Sequence, residues 1–241
     1  MKTAVLLSGG LDSAVLLAAE TASHGDGVQP IYVSVGLAWE GAEQAAVRAL
    51  LATAPLRART RTLVSLAVDM RDVYKADHWA IEGRPPGYHT SDAEVYLPGR
   101  NIVLLGKAGV YCAAAGIDRL VLGTLAHNPF PDATMAFRSA MAGALSLGLA
   151  HPLALDAPFA LATKSEVITR GVALGVPFQL TLSCMRPLEK GQGVEPLEPL
   201  FVHCGTCSKC RERHDAFLAA GLADLTEYAE REYVGKRGIA D

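Results

Sequence analysis

Leu7-Ser8-Gly9-Gly10-Leu11-Asp12-Ser13 is the stretch whose reading decides the fold. Ahead of it, Thr3-Ala4-Val5-Leu6-Leu7 is a short apolar run, the pattern of a fully buried strand. Behind it, Ala14-Val15-Leu16-Leu17-Ala18-Ala19 reads as the start of a buried helix that ends near His24-Gly25. A Ser/Gly-rich turn between strand and helix points several backbone N–H groups at one spot, and the helix N-terminus adds partial positive charge there. Two glycines admit a ligand to the backbone without Cβ obstruction, and the serine hydroxyls add donors. The stretch reads as a phosphate cradle, against the alternative of an ordinary strand–turn–helix corner packed tightly on its glycines.

Neither G-x-x-x-x-G-K-[ST] nor G-x-G-x-x-G occurs here, so the cradle is not of the Walker or dinucleotide type. Ser8-Gly9-Gly10-Leu11-Asp12-Ser13 resembles instead the PP-loop of ATP pyrophosphatases, which release pyrophosphate as they adenylate a substrate. That resemblance implies ATP held by Leu7 to Ser13. Asp12, as a carboxylate, donates nothing to phosphate; orienting the loop or holding Mg²⁺ suits it better.

The 241 residues, half of them hydrophobic, suffice for one sizeable α/β domain with a small appendage. We place the ATP-binding part at residues 1–180 and a C-terminal zinc-binding helical region at 181–241. A net charge of −3 argues against a general polyanion binder, so nucleic acid is not the expected partner. No run of eighteen apolar residues predicts a membrane span. The N-terminus enters a core strand at once, leaving no room for a signal peptide. Five cysteines, three of them crowded together, look like metal ligands in a reducing compartment, which predicts a cytoplasmic protein.

Along the chain, Pro30 to Gly36 reads as a second strand, Glu40 to Ala54 as an Ala-rich helix with Pro55 just past it, and Arg59 to Val64 as a third strand. Strand–helix–strand repetition predicts a parallel sheet with right-handed crossovers, whose ligands bind outside the carboxyl ends of the strands. Asp69 to Gly99 has little periodicity, and a stretch that long is functional or mobile. A helix is expected from Ile102 to about Ala115, with Arg100 near its start and Asn101 as N-cap; a fourth strand follows at Arg119 to Gly123. The loop Thr124 to Asp132 leaves that strand's carboxyl end carrying His127, Asn128 and Asp132, a good place for a substrate contact. Phe137 to Leu147 reads as a helix, and Thr163-Lys164-Ser165-Glu166 opens another through a capping box. The box explains Thr163 and Glu166. It leaves Lys164, disfavoured at a helix start by the dipole, in need of an anionic neighbour.

Cys204, Cys207 and Cys210 stand at two-residue separations, so that their sulfurs can wrap one tetrahedral ion. Cys184 is the expected fourth ligand, and His203 competes but sits awkwardly next to Cys204. Cys112, inside an apolar helix, reads as a core residue. Four sulfurs predict one structural zinc; a redox site is the runner-up. Arg211, Arg213 and His214 follow, either approaching a phosphate or forming a solvated basic face.

PP-loop and cysteine cluster together resemble the 7-cyano-7-deazaguanine synthases of queuosine synthesis. The likeness runs through Leu7–Leu17, Pro98–Asn101, Phe130–Asp132, Ser146–Gly148, Thr163–Glu166, Ser183-Cys184 and His203–Arg211. It implies an adenine nucleotide alpha hydrolase-like, Rossmann-like fold and a ligase. Such an enzyme adenylates 7-carboxy-7-deazaguanine, lets ammonia form the amide, and activates the amide again to give the nitrile. It further implies Lys164 and Arg100 on phosphates or the substrate carboxylate, Asp132 on the donor edge of the deazaguanine, Phe130 stacked on it with Asn101 beside it, and a homodimer. Two departures stand out. The Cys-Arg and acidic residues that follow this Pro-Asp in the family are replaced by Ala133-Thr134-Met135-Ala136, and Met185 to His203 separates Cys184 from the other cysteines. The alternatives are a related adenylating amide ligase for another carboxylate and a PP-loop tRNA sulfur transferase.

Overall fold

The apolar run before the first turn is the central strand of the sheet. In the computed structural model, which describes residues 1–25, 27–190 and 199–231, β1 (Thr3–Leu6) passes through Leu7–Gly10 into α1 (Leu11–His24). There follow β2 (Gln29–Ser34), α2 (Glu40–Ala52), the short α3 (Ala54–Arg57), β3 (Val64–Ala67), the single-turn α4 (Trp79–Glu82) and α5 (Arg100–Ala115). Next come β4 (Arg119–Val121), α6 (Met135–Leu149), β5 (Ala154–Asp156) and α7 (Lys164–Ala173). A two-residue antiparallel pair, β6 (Leu188–Glu189) and β7 (Phe201–Val202), precedes α8 (Ser208–Ala219). Among the described residues β1 to β5 form one parallel sheet in the order β3-β2-β1-β4-β5.

The inner strands β2, β1 and β4 are buried without alternation because both faces are covered, whereas the edge strands β3 and β5 alternate. Val5, Tyr32 and Val121 point into a core shared with α1, α2, α7 and α8; Ala4, Ile31, Val33 and Leu120 point into one shared with α5 and α6. The chain builds outward from β1 to β3 and then returns to place β4 on the other side of β1. The strand order therefore reverses between β1 and β4, and the crevice outside their carboxyl ends is where such sheets bind ligands. No helix among the described residues is long and apolar enough to cross a membrane.

Several elements differ from the sequence reading. The third strand lies at Val64–Ala67, not Arg59–Val64: its register pairs Ile31–Ser34 with Val64–Ala67, and the exposed Arg59 and Arg61 belong to the run-in, where Thr60 makes one bridge to Val28. α1 begins at Leu11, which puts Asp12 and Ser13 inside its first turn. α2 stops at Ala52, and Pro55 opens α3, where its missing N–H costs nothing. Gly99, at φ 78°, caps α5, so Asn101 is not its N-cap. β5 is a three-residue edge strand, too short to leave a pattern. Of the Met185 to His203 segment, residues 191–198 lie outside the described residues.

The irregular Asp69–Gly99 stretch acquires its order from packing. Met70, Tyr74, Ala80, Val95 and Leu97 join Trp39 in a third core, built against the four clustered cysteines and Tyr228. Arg211 clamps the same stretch, donating to the Tyr88 and Thr90 carbonyls and to Asp92. Arg213 is fully buried, donating to the hydroxyls of Thr226 (2.7 Å), Thr181 (2.8 Å) and Ser183 (3.2 Å) and to the Phe178 carbonyl (2.9 Å). Neither arginine is left for a phosphate or a solvated face, because Arg211 is consumed by the Tyr88–Asp92 loop and Arg213 by acceptors around its buried guanidinium. Arg213→Met is accordingly expected to cost about 3–5 kcal/mol, read from the urea midpoint, since it strands four acceptors in a dry core. A change under 1 kcal/mol would contradict that role.

Candidate active site and metal centre

The Ser8–Ser13 turn is organised by its own hydroxyls. Ser13 Oγ donates to the Gly10 carbonyl (3.0 Å) and accepts from Ser8 N–H (3.3 Å), while Gly10 N–H donates to Ser8 Oγ (3.3 Å). Leu182 N–H ties the Gly9 carbonyl from outside at 2.8 Å. Gly9 sits at φ +80°, and a Cβ there would lie 2.9 Å from the Glu43 carbonyl oxygen and 3.2 Å from Ala46 and Val47. No side chain caps α1, which leaves its first-turn N–H groups available to an anion. Gly9→Ala is expected to displace the loop from α2 and weaken nucleotide binding at least tenfold in a fluorescence titration, with the fold retained. Unchanged affinity would mean that the loop tolerates displacement.

This turn opens into a cavity of about 290 Å³ at the switch point. Leu7, Ser8, Gly10, Asp12 and Ser13 line it from the turn, Tyr32 and Val33 from β2, and Arg100 and Asn101 from the start of α5. Gly123, Thr124, Asn128, Phe130 and Asp132 close it from the loop after β4. The structure thus brings together most residues expected at the site. Gly9 and Leu11 support the wall from behind, and His127, at φ 59°, does not reach the cavity.

Lys164 finds its anionic neighbours in the protein. Its Nζ lies 3.1 Å from Asp12 Oδ2 and pairs with Glu212, which also pairs with Lys209 at 2.5 Å. Burial works against the lysine's charge, but Asp12 and Glu212 outweigh it and hold the ammonium well above its ordinary range. The same lysines hold Glu212 well below the usual carboxylate range despite its burial. The other Asp12 oxygen, Oδ1, is buried without a hydrogen-bond partner among the described residues. An unpartnered carboxylate oxygen on a phosphate-cradling turn whose Asp12 lines the cavity fits a divalent cation.

Asp132 is buried and held by Asn101, whose backbone N–H (3.2 Å) and side-chain amide (3.3 Å) reach one carboxylate oxygen each. Phe130 stacks on Tyr96 with centroids 5.0 Å apart and planes at 26°. Arg100 Nε is buried and has no hydrogen-bond partner among the described residues.

Sequence reasoning missed Glu43, Tyr32 and Tyr96 in this wall. The signal for Glu43 was present: Trp39, Glu43, Val47 and Leu50 recur at helical spacing and are all buried, so one carboxylate interrupts an apolar stripe. Tyr32 O–H (3.0 Å) and Trp39 Nε1–H (3.2 Å) donate to it. Burial raises Glu43 to about 7, against the pull of Arg100. Between about pH 4.3 and about 7 the folded chain therefore holds a proton that the unfolded chain has lost, and stability falls as pH rises. Glu43→Gln is expected to remove up to about 3 kcal/mol of that fall, measured as urea stability at pH 5 and 8. Parallel pH profiles for both proteins would contradict it.

Cys184, Cys204, Cys207 and Cys210 are buried with their sulfurs all within 4.8 Å of one another. The Cys204–Cys210 and Cys207–Cys210 separations are 3.9 and 3.5 Å, close to the roughly 3.8 Å edge of a tetrahedral S₄ site with 2.3 Å bonds. Backbone N–H groups of Arg186 and Cys204 donate to Cys184, and that of Thr206 to Cys204. Bonds from the neighbouring thiols, first Cys184, hold Cys204 well below the ordinary thiol range and lower Cys207 to about 7. His203 instead accepts from Ser183 N–H at 3.1 Å and is kept neutral by burial, outside the cluster. Cys112 is a core thiol that burial pushes up to about 12.

A parallel sheet whose switch point carries a Ser/Gly phosphate turn over a polar cavity, with a buried four-sulfur cluster behind it, defines an ATP-binding α/β protein of the PP-loop class. The family model of the queuosine biosynthesis protein QueC matches residues 2–221, and the chain belongs to that family. The 7-cyano-7-deazaguanine synthase of Azoarcus sp. (strain BH72) is 32% identical over 240 residues, covering 95% of this chain and 98% of that one. The protein of the same name from Methanopyrus kandleri is 31% identical over 247 residues, covering 95% and 99%. The relatives are synthases, and this chain is an enzyme acting on a small molecule. Among solved structures, one described as a predicted subunit of tRNA methyltransferase from Methanocaldococcus jannaschii aligns at TM-score 0.42 and 19% identity, over 70% of this chain and 74% of that chain. A likeness that loose bears on neither mechanism nor substrate.

Proposed function

We propose that this enzyme converts 7-carboxy-7-deazaguanine and ammonia, with ATP, to 7-cyano-7-deazaguanine, through an adenylate and an amide. The observation that carries the reading is the shared cavity, in which the phosphate turn, Arg100 and the Asn101–Asp132 pair face one space. Leu7 to Ser13 bind the nucleotide's polyphosphate through backbone N–H groups and hydroxyls. Arg100 and the Asp12–Lys164 pair meet the charge that develops as pyrophosphate departs. Asp132, its carboxylate oriented by Asn101, accepts from the N–H edge of the deazaguanine, and Phe130 with Tyr96 offers an aromatic platform for the ring. Mg²⁺ on the unpartnered oxygen of Asp12 would neutralise charge on the departing pyrophosphate. One zinc held by Cys184, Cys204, Cys207 and Cys210 would leave no open position, a structural metal that ties Cys184 to the Cys204–Cys210 segment beneath the core in which Met70, Tyr74 and Leu97 pack.

The test incubates the purified protein with ATP, Mg²⁺, ammonium chloride and 7-carboxy-7-deazaguanine, followed by mass spectrometry. Nitrile with AMP and pyrophosphate is the expected result; no product from this acid would refute the assignment. A second reading, an adenylating amide ligase for a related carboxylate, is favoured by Ala133-Thr134 in place of the family's Cys-Arg. It predicts amide as the end product, or turnover of another acid. We further propose a cytoplasmic homodimer, checked by light scattering and fractionation.

A further inference from the structure

Among the described residues, Glu43 is the one cavity-lining carboxylate that the reading above leaves without work. A side chain that merely filled α2's buried stripe would be apolar, because a carboxylate there carries a desolvation cost. The site instead provides two donors for it, Tyr32 O–H at 3.0 Å on one oxygen and Trp39 Nε1–H at 3.2 Å on the other. Each oxygen keeps a free lone pair, and Glu43 and Tyr32 share the cavity wall with Ser8, Asp12 and Arg100. The charged and titratable groups facing it are Tyr32 from β2, Glu40 from its own helix and Arg100 from α5. Amide formation needs ammonia, whereas solution near neutrality supplies ammonium, which has no lone pair with which to attack.

We propose that Glu43 is the general base that converts ammonium to ammonia beside the activated carboxylate. This rests on the reading of the reaction as adenylation followed by amide formation. One N–H bond of ammonium breaks, its proton goes to a Glu43 oxygen, and its electron pair becomes the lone pair of ammonia. That pair forms the C–N bond to the acyl carbon, and the C–O bond to AMP breaks with its electrons leaving on AMP. The surplus proton on the new amide nitrogen passes to water, and Glu43 returns its own proton to solvent. Burial, which places the carboxyl's ionisation at about 7, matches it to a proton transfer at neutral pH.

Three assays of the full-length protein separate the steps: carboxylate-dependent ATP–pyrophosphate exchange, amide formation from ammonium chloride, and hydroxamate formation from hydroxylamine. Hydroxylamine is uncharged near neutrality and needs no base to expose its lone pair. Glu43→Gln is expected to lower the ammonium reaction on the order of 10²-fold at pH 7, with exchange and hydroxamate formation within twofold of the unaltered protein. The defect narrows as pH rises and free ammonia becomes plentiful. Tyr32→Phe, which removes a donor that favours the ionised form, is expected to move the ammonium pH profile to higher pH and leave the hydroxylamine profile in place. Equal losses with both nucleophiles, or no loss with either, overturn the assignment. So does a Tyr32→Phe profile that moves for both nucleophiles or for neither, which keeps the test decisive if Glu43→Gln does not fold. Absence of exchange in the unaltered protein overturns the reading of the reaction itself, and this role with it.

Discussion

Asp12→Ala is expected to lower ATP-dependent turnover by at least ~10²-fold while the metal content of the cysteine cluster stays unchanged. Asp12 does two things at once. One oxygen lies 3.1 Å from Lys164 Nζ, and the other is buried with no hydrogen-bond partner among the described residues, in a residue that lines the cavity. Removing it takes away both the proposed seat of the cation and the group that pairs the lysine with the phosphate turn. Lys164 keeps Glu212, so the buried ammonium is not stranded and the fold survives. Steady-state kinetics with thermal melting and metal analysis on one preparation test this. Turnover within a few-fold of the unaltered protein would show that the turn is not the nucleotide's seat.

Stripping metal from the cysteine cluster, or replacing Cys207 by serine, is expected to lower the melting temperature by at least about 10 °C. The sulfurs are members of the third core, and residues from Met70 to Leu97 pack on them. Without an ion, four buried sulfurs lose the bonds that would draw them to one centre, and the packing built on them loosens. Gly205 adds to the sensitivity: at φ +81°, a Cβ there would lie 1.6 Å from the Glu230 carbonyl oxygen, so only glycine fits at position 205. Thiol titration provides the second readout. Four thiols should be masked in the loaded protein and reactive after chelation, while Cys112 stays buried throughout. Rapidly reacting thiols in the loaded protein would instead favour sulfur-transfer chemistry.

The legible parts of the molecule were those specified by neighbours in sequence. The Ser8–Ser13 turn, the capping box at Thr163 and Glu166, and the spacing of Cys204, Cys207 and Cys210 each need only a few consecutive residues. The third strand was misplaced because Thr60 and Thr62 carry the β-branched signal, whereas pairing with β2 is decided by where the chain crosses Ile31–Ser34. The sequence suggests Asn101 as a cap because it stands at an evident helix start. Only the fold revealed that Gly99 does the capping and that Asp132, thirty-one positions away, takes the amide.

From its own residues the chain determined a parallel α/β sheet, a phosphate-binding turn at its first strand and a four-sulfur cluster, because local pattern and spacing suffice for each. Tertiary structure alone decided the strand order that opens the cavity beside that turn. It also decided that Asp12 and Glu212 share Lys164, that Arg211 and Arg213 serve packing, and that Glu43 faces the site. Those depend on which distant surfaces meet, and burial sets the meaning of a charge only after they have met.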